Sequence, residues 1–231
     1  MAERPYTILS CGISLDGYLD AGTPERLVLS NEADLRRVDA VRAESDAILV
    51  GAATVRHDNP RLLVRTPHLR ARRRRQGRPE SPMKVTVTEN GCLDRSNSFF
   101  TTGDSEKLVF CASRSVTRVQ DRLAGVATVV DAGQPVDLAD VVGNLTERGV
   151  RSLMVEGGGT IHTQFLTQGL ADELHLVVAP FFVGDARAQR FVNAGVFPWN
   201  SGHRAHLAET RQIGDVVLLR YALSSRFAEV S

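Results

Sequence analysis

The sequence predicts an α/β fold built on a mixed, mostly parallel sheet that closes with an antiparallel hairpin. Short, nearly all-apolar runs such as Asp46-Ala47-Ile48-Leu49-Val50-Gly51 fit strands covered on both faces. Segments with apolar residues every three or four positions alternate with those runs, the pattern of helices laid on a parallel sheet. Two alternating segments, His203 to Gln212 and Val216 to Leu223, flank Ile213-Gly214-Asp215 and read as a hairpin. At 231 residues, 42% hydrophobic and 24% charged, the chain is expected to form one domain over residues 1–231 with a core spanning about 5–222.

Along the chain, Tyr6 to Ile13 reads as a strand running into the tight turn Ser14-Leu15-Asp16-Gly17. Ser30 or Asn31 is the N-cap of an amphipathic helix whose apolar positions are Leu35, Val38, Val41 and Ala43. Asp46 to Gly51 follows as a strand. Residues 61 to 82 read as unstructured, with an Arg-rich surface loop over 66–82 in which Arg70, Arg72, Arg73, Arg74, Arg75 and Arg78 precede Pro79 and Pro82. Strands are predicted at Lys84 to Thr88, Lys107 to Cys111, Ala127 to Val130, Ser152 to Glu156 and Asp172 to Ala179. Helices are predicted at Val116 to Leu123, Leu138 to Arg148 and Gly157 to Gln168. The segment from Phe181 to Trp199 is a long connection with no assignable conformation.

Composition narrows the function. Twenty-eight basic against 27 acidic residues leave a net charge of +1, so no global field draws the protein to nucleic acid or to an anionic membrane. No apolar run approaches the roughly eighteen residues of a membrane span. The start Met1-Ala2-Glu3-Arg4-Pro5 lacks a secretion signal, so a cytoplasmic protein is expected. Cys11, Cys92 and Cys111 are odd in number and lie in no zinc spacing. His203 and His206 would face opposite sides of a strand, so no metal is expected.

Chemistry is expected at the carboxyl ends of the parallel strands. At one, Ser152 to Glu156 leads into Gly157-Gly158-Gly159-Thr160 and a helix, where backbone amides and a positive helix terminus suit a phosphate. The same pattern also fits a plain Gly-rich turn. At another, Gly51-Ala52-Ala53-Thr54-Val55 continues to Asp58-Asn59-Pro60, a glycine, a hydroxyl and a carboxylate in one connection that is equally an ordinary turn.

Four segments together resemble the reductase domain of the riboflavin pathway, a branch of the dihydrofolate-reductase-like fold family. They are Ser14-Leu15-Asp16-Gly17; Arg42-Ala43 with Asp46 to Gly51 and Thr54-Val55; Asp58-Asn59-Pro60 with Leu62 and Arg65; and Val155-Glu156-Gly157-Gly158 followed by Ala179-Pro180. The resemblance implies a three-layer fold, a homodimer, NADPH and a phosphorylated ribosylaminopyrimidine. It puts substrate contacts on Ser30, Arg42, Asp58, Arg65 and Glu156, with Asp58 and Glu156 as catalytic acids. Cofactor contacts fall on Gly51, Ala52, Thr54, Val55, Gly157, Gly158, Gly159 and Thr160. Ser113 and Arg114 would hold the adenosine 2′-phosphate, or Ser113 would be a plain helix N-cap. The implied reaction passes a hydride to C1′ of a ring-opened imine and yields a ribitylamine.

Two departures widen the substrate range. Ser10 stands where bifunctional enzymes place a lysine, and no deaminase domain precedes the reductase, so a stand-alone reductase is expected. Alternative readings are a reductase of dihydropterin, dihydrofolate or a secondary-metabolite heterocycle, and, more remotely, a nucleic-acid-binding module using the arginines at 70 to 78. Against the last, the cluster has no interleaved aromatic residues.

Overall fold

Each apolar run forms a strand, and each periodic segment between runs forms a helix. A computed structural model describes residues 3–227 apart from 24 and 26. The order is β1 (Tyr6–Ser14), α1 (Glu32–Glu44), β2 (Ala47–Gly51), α2 (Ala52–Asp58), α3 (Pro67–Arg75), β3 (Met83–Thr88), α4 (Ser98–Thr101), β4 (Lys107–Cys111), α5 (Val116–Leu123), β5 (Thr128–Asp131), α6 (Leu138–Glu147), β6 (Ser152–Gly157), α7 (Gly159–Thr167), β7 (Glu173–Ala179), β8 (His206–Ile213) and β9 (Val216–Ala222). Nine strands join one sheet in the order β5-β4-β3-β2-β6-β1-β7-β9-β8. The mixed, mostly parallel sheet with a terminal hairpin is therefore as expected. The chain packs as two units, residues 1–5 with 39–154, and residues 6–38 with 155–231.

In the first unit β2 pairs parallel with β3, β3 with β4, and β4 with β5. All five residues of β2 are buried, which is what an all-apolar strand covered on both faces requires. Lys84, fully buried near the start of β3, donates from Nζ to the carbonyls of Phe99 at 3.1 Å and Thr102 at 2.5 Å. Burial, helped by the charge of Lys107, lowers its pKa to about 8.

The Arg-rich stretch is not the expected loop. Residues 67–75 form α3, started by Pro67 at its first turn. Leu69 packs into a cluster with Ala43 and Val64, a burial that contributes about 2 kcal/mol. Arg73 is 1% exposed and donates to Pro79 O at 2.7 Å, Ala43 O at 3.0 Å and Ser45 O at 2.7 Å. Arg78 reaches Glu44 O at 2.9 Å, Ser45 O at 2.7 Å and Asp46 Oδ1 at 2.8 Å. Two guanidinium groups thus satisfy the carbonyls that the end of α1 leaves without intrahelical donors. The remaining arginines pair on the surface, Arg72 with Glu44, and Arg70 and Arg74 with Glu80.

In the second unit β1 runs parallel to β7, while β7-β9-β8 is antiparallel. Val177, Ala179, Val216 and Leu218 form one of its hydrophobic clusters, with Leu29, Phe181 and Ile213 packed against it. Asn31 is the N-cap of α1, accepting from Asp34 N at 2.9 Å, and its amide also donates to Ile213 O at 2.6 Å. One side chain therefore fixes both the helix start and the hairpin turn.

Candidate active site

The first unit presents its carboxyl-end connection directly from β2 into α2. Gly51 is the N-cap, extended at φ −70° and ψ 153°, so the cap residue itself brings no side chain to the first turn of the helix. Ala52 and Val55 are buried, so Val55 serves this connection by packing. Asp58 is the last residue of α2 and is exposed. Asn59 follows in the left-handed conformation at φ 43°, and its Oδ1 accepts from Ser98 N at 2.6 Å. That bond holds the turn that carries Asp58.

Arg42 and Arg65 are brought together by the segment 63–66. Arg42 donates from Nη1 to Leu63 O at 3.2 Å. The carboxylate of Asp39, 1% exposed, accepts from Arg65 N at 2.7 Å and Thr66 N at 2.8 Å, with Arg65 Nε at 3.8 Å. Burial works to raise the Asp39 pKa, but hydrogen bonds from Thr66 and Arg65 win and hold it below the usual range. Asp39 thus carries the loop on which Arg65 stands, a part the sequence reading missed. The only signal was an acid lying between the apolar positions Val38 and Val41 of an amphipathic helix.

Ser113 and Arg114 lie in a 3-10 turn, Ser113–Ser115, after β4. Ser113 donates its hydroxyl to Asp131 Oδ1 at 2.7 Å, which also accepts from Gly133 N at 3.0 Å. These bonds, Ser113 first, lower the Asp131 pKa. Arg114 is exposed, with Nη2 3.3 Å from Asn90 Oδ1 and 3.8 Å from Glu89 Oε2.

The second unit carries Ser30, Glu156 and the glycine turn. Ser30 is half-buried and immediately precedes the cap Asn31. Glu156 is half-buried near the end of β6. Gly157 at φ 108° and Gly158 at φ 94° adopt conformations that only glycine takes at little cost, and Gly158 caps α7 without a side-chain bond. A Cβ on Gly159 would stand 2.5 Å from Arg190 O, so the backbone there runs against a neighbouring strap. Thr160 is exposed, and its hydroxyl lies 3.4 Å from Asn193 Nδ2.

That strap belongs to the segment whose conformation the sequence left open. Asn193 N donates to Thr163 Oγ1 at 2.8 Å, Phe191 N to Gly17 O at 3.0 Å, and Arg190 lies over the Tyr18 ring with its guanidinium carbon 4.6 Å from the centroid. The turn after β1 is its other anchor. Asp16 accepts from Ser14 Oγ at 2.6 Å and from Gly184 N at 2.8 Å. Burial opposes ionisation of Asp16, yet bonds from Ser14, Val183 and Gly184 bring its pKa down to about 2. The acid of Ser14-Leu15-Asp16-Gly17 is thereby a latch for the 181–184 loop.

Beneath the glycine turn His162 is completely buried, and neither ring nitrogen has a hydrogen-bond partner among the described residues. Its ring abuts Gly157 and lies 5.4 Å from the ring of Phe191. Burial lowers its pKa to about 4, so the imidazole is neutral. Among the described residues no group of three or more His, Cys, Asp or Glu could hold a metal ion, and no helix is long and apolar enough to cross a membrane.

Comparison with known proteins fits this arrangement. Residues 5–219 match the model of the RibD C-terminal domain. The chain is 36% identical over 182 residues to the 2,5-diamino-6-ribosylamino-4(3H)-pyrimidinone 5′-phosphate reductase of Archaeoglobus fulgidus, covering 78% of this chain and 83% of that one. It is 32% identical over 224 residues to the reductase of the same name from Methanothermobacter thermautotrophicus, covering 95% and 99%. Among solved structures, a pyrimidine reductase-like protein of Corynebacterium diphtheriae shares the fold at TM-score 0.79 and 22% identity, over 94% of this chain and 91% of that one. With its glycine turn and a match running through nearly all of its length, the chain belongs to the RibD C-terminal domain family.

Proposed function

We propose that the protein reduces a ribosylaminopyrimidine 5′-phosphate to the ribitylamino product, with NADPH as reductant. The observation that carries the reading is the end-to-end match to the Methanothermobacter thermautotrophicus reductase, 95% of one chain against 99% of the other. That relative's name favours the undeaminated diaminopyrimidinone as substrate.

A reductase of this family uses a nicotinamide cofactor. The site residues fit one: phosphate oxygens need donors, and Gly158 starts α7 with amides that no side chain caps. The cofactor, once bound, supplies a hydride from C4 of its reduced ring to C1′ of the imine formed when the ribose opens. The chain's residues do the rest. Gly157, Gly158, Gly159 and Thr160 would take phosphate oxygens, and Gly51, Ala52 and Thr54 would border the nicotinamide ribose, with Val55 packed beneath them. Arg114 supplies a guanidinium to the 2′-phosphate that separates NADPH from NADH, while the Ser113 hydroxyl orders the turn through Asp131. Arg42, Arg65 and Ser30 anchor the sugar phosphate.

Reduction consumes two electrons and one proton. Asp58 gives its proton to the imine nitrogen, and the carboxylate left behind stabilises the iminium charge until C1′ takes the hydride. Glu156 grips the aminopyrimidine. Two copies of the chain associate, and the enzyme works in the cytoplasm.

Incubation of purified protein with NADPH and the diaminopyrimidinone phosphate, or its deaminated counterpart, tests this. NADPH oxidation with formation of the ribitylamino phosphate is expected. Oxidation of NADPH by dihydrofolate, with neither pyrimidine turned over, would replace the reading with a pterin reductase.

A further inference from the structure

We propose that the first unit binds a small oxyanion, inorganic phosphate or a phosphomonoester, in a hollow at the amino ends of its parallel strands. The hollow has a volume of about 200 Å³ and is walled by Arg73, Arg78, Arg148, Asp46 and Glu106, with Gly149 at its edge. At about 30 Å³ per water it holds the equivalent of about seven waters, room for a tetrahedral anion and its first hydration partners. Asp46 lies one residue before β2 and Gly51 ends it, so the hollow stands roughly 16 Å from the carboxyl-end connection. It is a separate place, and the inference does not depend on the reductase reading.

Its charge balance points to an anion. Three guanidinium groups face two carboxylates, and the carboxylates are already committed. Asp46 accepts from Arg78 at 2.8 Å and, through Oδ2, from Arg151 N, Ser152 N and Ser152 Oγ, each at 3.0 Å. Glu106 pairs with Arg148 at 3.5 Å. Arg73 has no carboxylate partner, since its described bonds all end on backbone carbonyls. The surplus positive charge therefore belongs to the most buried of the three groups. Burial first, and then the neighbouring charge of Arg78, lower the Arg73 pKa to about 10, where it stays ionised at neutral pH. The charges of Asp46 and Glu44 oppose that shift, but neither carboxylate bonds Arg73 directly, and an anion in the adjoining space would supply a direct partner for this buried charge. Planar guanidinium groups suit tetrahedral oxyanions because each can offer two parallel donors.

Arg148 is the residue to change, because it sits at the end of α6 and is one-third exposed. Titration calorimetry with inorganic phosphate at fixed ionic strength should show saturable binding by the unmodified protein. Arg148→Gln should weaken it about tenfold or more, the loss of one charge-assisted contact, and Arg148→Lys should restore part of it. Arg65→Ala, which alters the proposed substrate anchor, should leave this binding intact, so failure of the two readings is distinguishable. No saturable binding, or binding unchanged in Arg148→Gln, overturns the proposal. Should that variant fail to fold, amide resonances of the unmodified protein decide. Shifts at Ser105, Glu106 and Gly149 on adding phosphate support the site, and shifts confined to residues 157–160 overturn it.

Discussion

The two ends of the parallel strands are finished in opposite ways. At the amino ends of the first unit, side chains close the structure: Arg73 and Arg78 take the carbonyls of residues 43–45 and Asp46 gathers four donors. Lys84 takes two more carbonyls. At the carboxyl ends, helices and turns start from Gly51, Ala112 and, in the second unit, Gly158, residues that bring no capping side chain of their own, although Gln134 Oε1 accepts from Arg114 N at 3.3 Å. Helix α6, which follows the carboxyl end of β5, is instead capped by its own Asp137, accepting from Ala139 N at 2.8 Å. A helix start whose cap residue brings no side chain leaves room for a ligand's oxygens, which is why the chemistry is proposed for this end.

The comparison breaks most sharply at Arg73. Arg73→Ala takes a donor from Pro79 O and Ala43 O, leaves Ser45 O with Arg78 alone and opens a cavity where a guanidinium was, and is expected to cost about 4 kcal/mol of unfolding free energy. Urea denaturation measures it, and a loss under about 1 kcal/mol would show that the closed end does not depend on that side chain. At the open end the loss should be in turnover. Asp58→Asn is expected to lower kcat about a hundredfold with NADPH affinity nearly unchanged, whereas an equal fall in affinity would place Asp58 on the cofactor.

Gly159→Ala sharpens the same contrast, because its Cβ would meet Arg190 O at 2.5 Å and push the strap off the turn. Its stability cost is expected at about 2 kcal/mol, with a weaker NADPH affinity in the same titration. The smallest effect concerns pH. His162 is neutral when folded, with a pKa of about 4 against 6.5 when exposed. As pH falls below 6.5 the unfolded chain gains a proton that the folded chain refuses, so stability drops by at most about 1.4 kcal/mol per pH unit until about pH 4. His175, whose pKa burial also lowers, acts in the same direction. Melting temperatures of His162→Leu between pH 7 and 5 should therefore fall less steeply than those of the unmodified protein, without becoming flat.

Much of this was legible in the residues. All-apolar β2 and the alternating β8 and β9 announce themselves because burial on two faces or one leaves a direct mark on composition. The glycine turn was legible for the same reason, since Gly157 and Gly158 stand where positive φ is needed. Helix α3 was not, because its only apolar anchor facing inward is Leu69 and its other buried residue is an arginine. Nor were Asp39 and Asp16, acids whose partners are backbone amides of other segments. The strap around Arg190 and Asn193 is irregular backbone fixed by contacts distant in sequence, and no periodic pattern records it.

The most direct measurement follows an isotope. NADPH deuterated at the transferable position of its reduced ring is incubated with the protein and the diaminopyrimidinone ribotide, and the product is analysed by mass spectrometry with fragmentation. One deuterium on C1′ of the ribityl chain is the expected result. Product without the label, or NADPH left intact while the pyrimidine is consumed, would contradict the account.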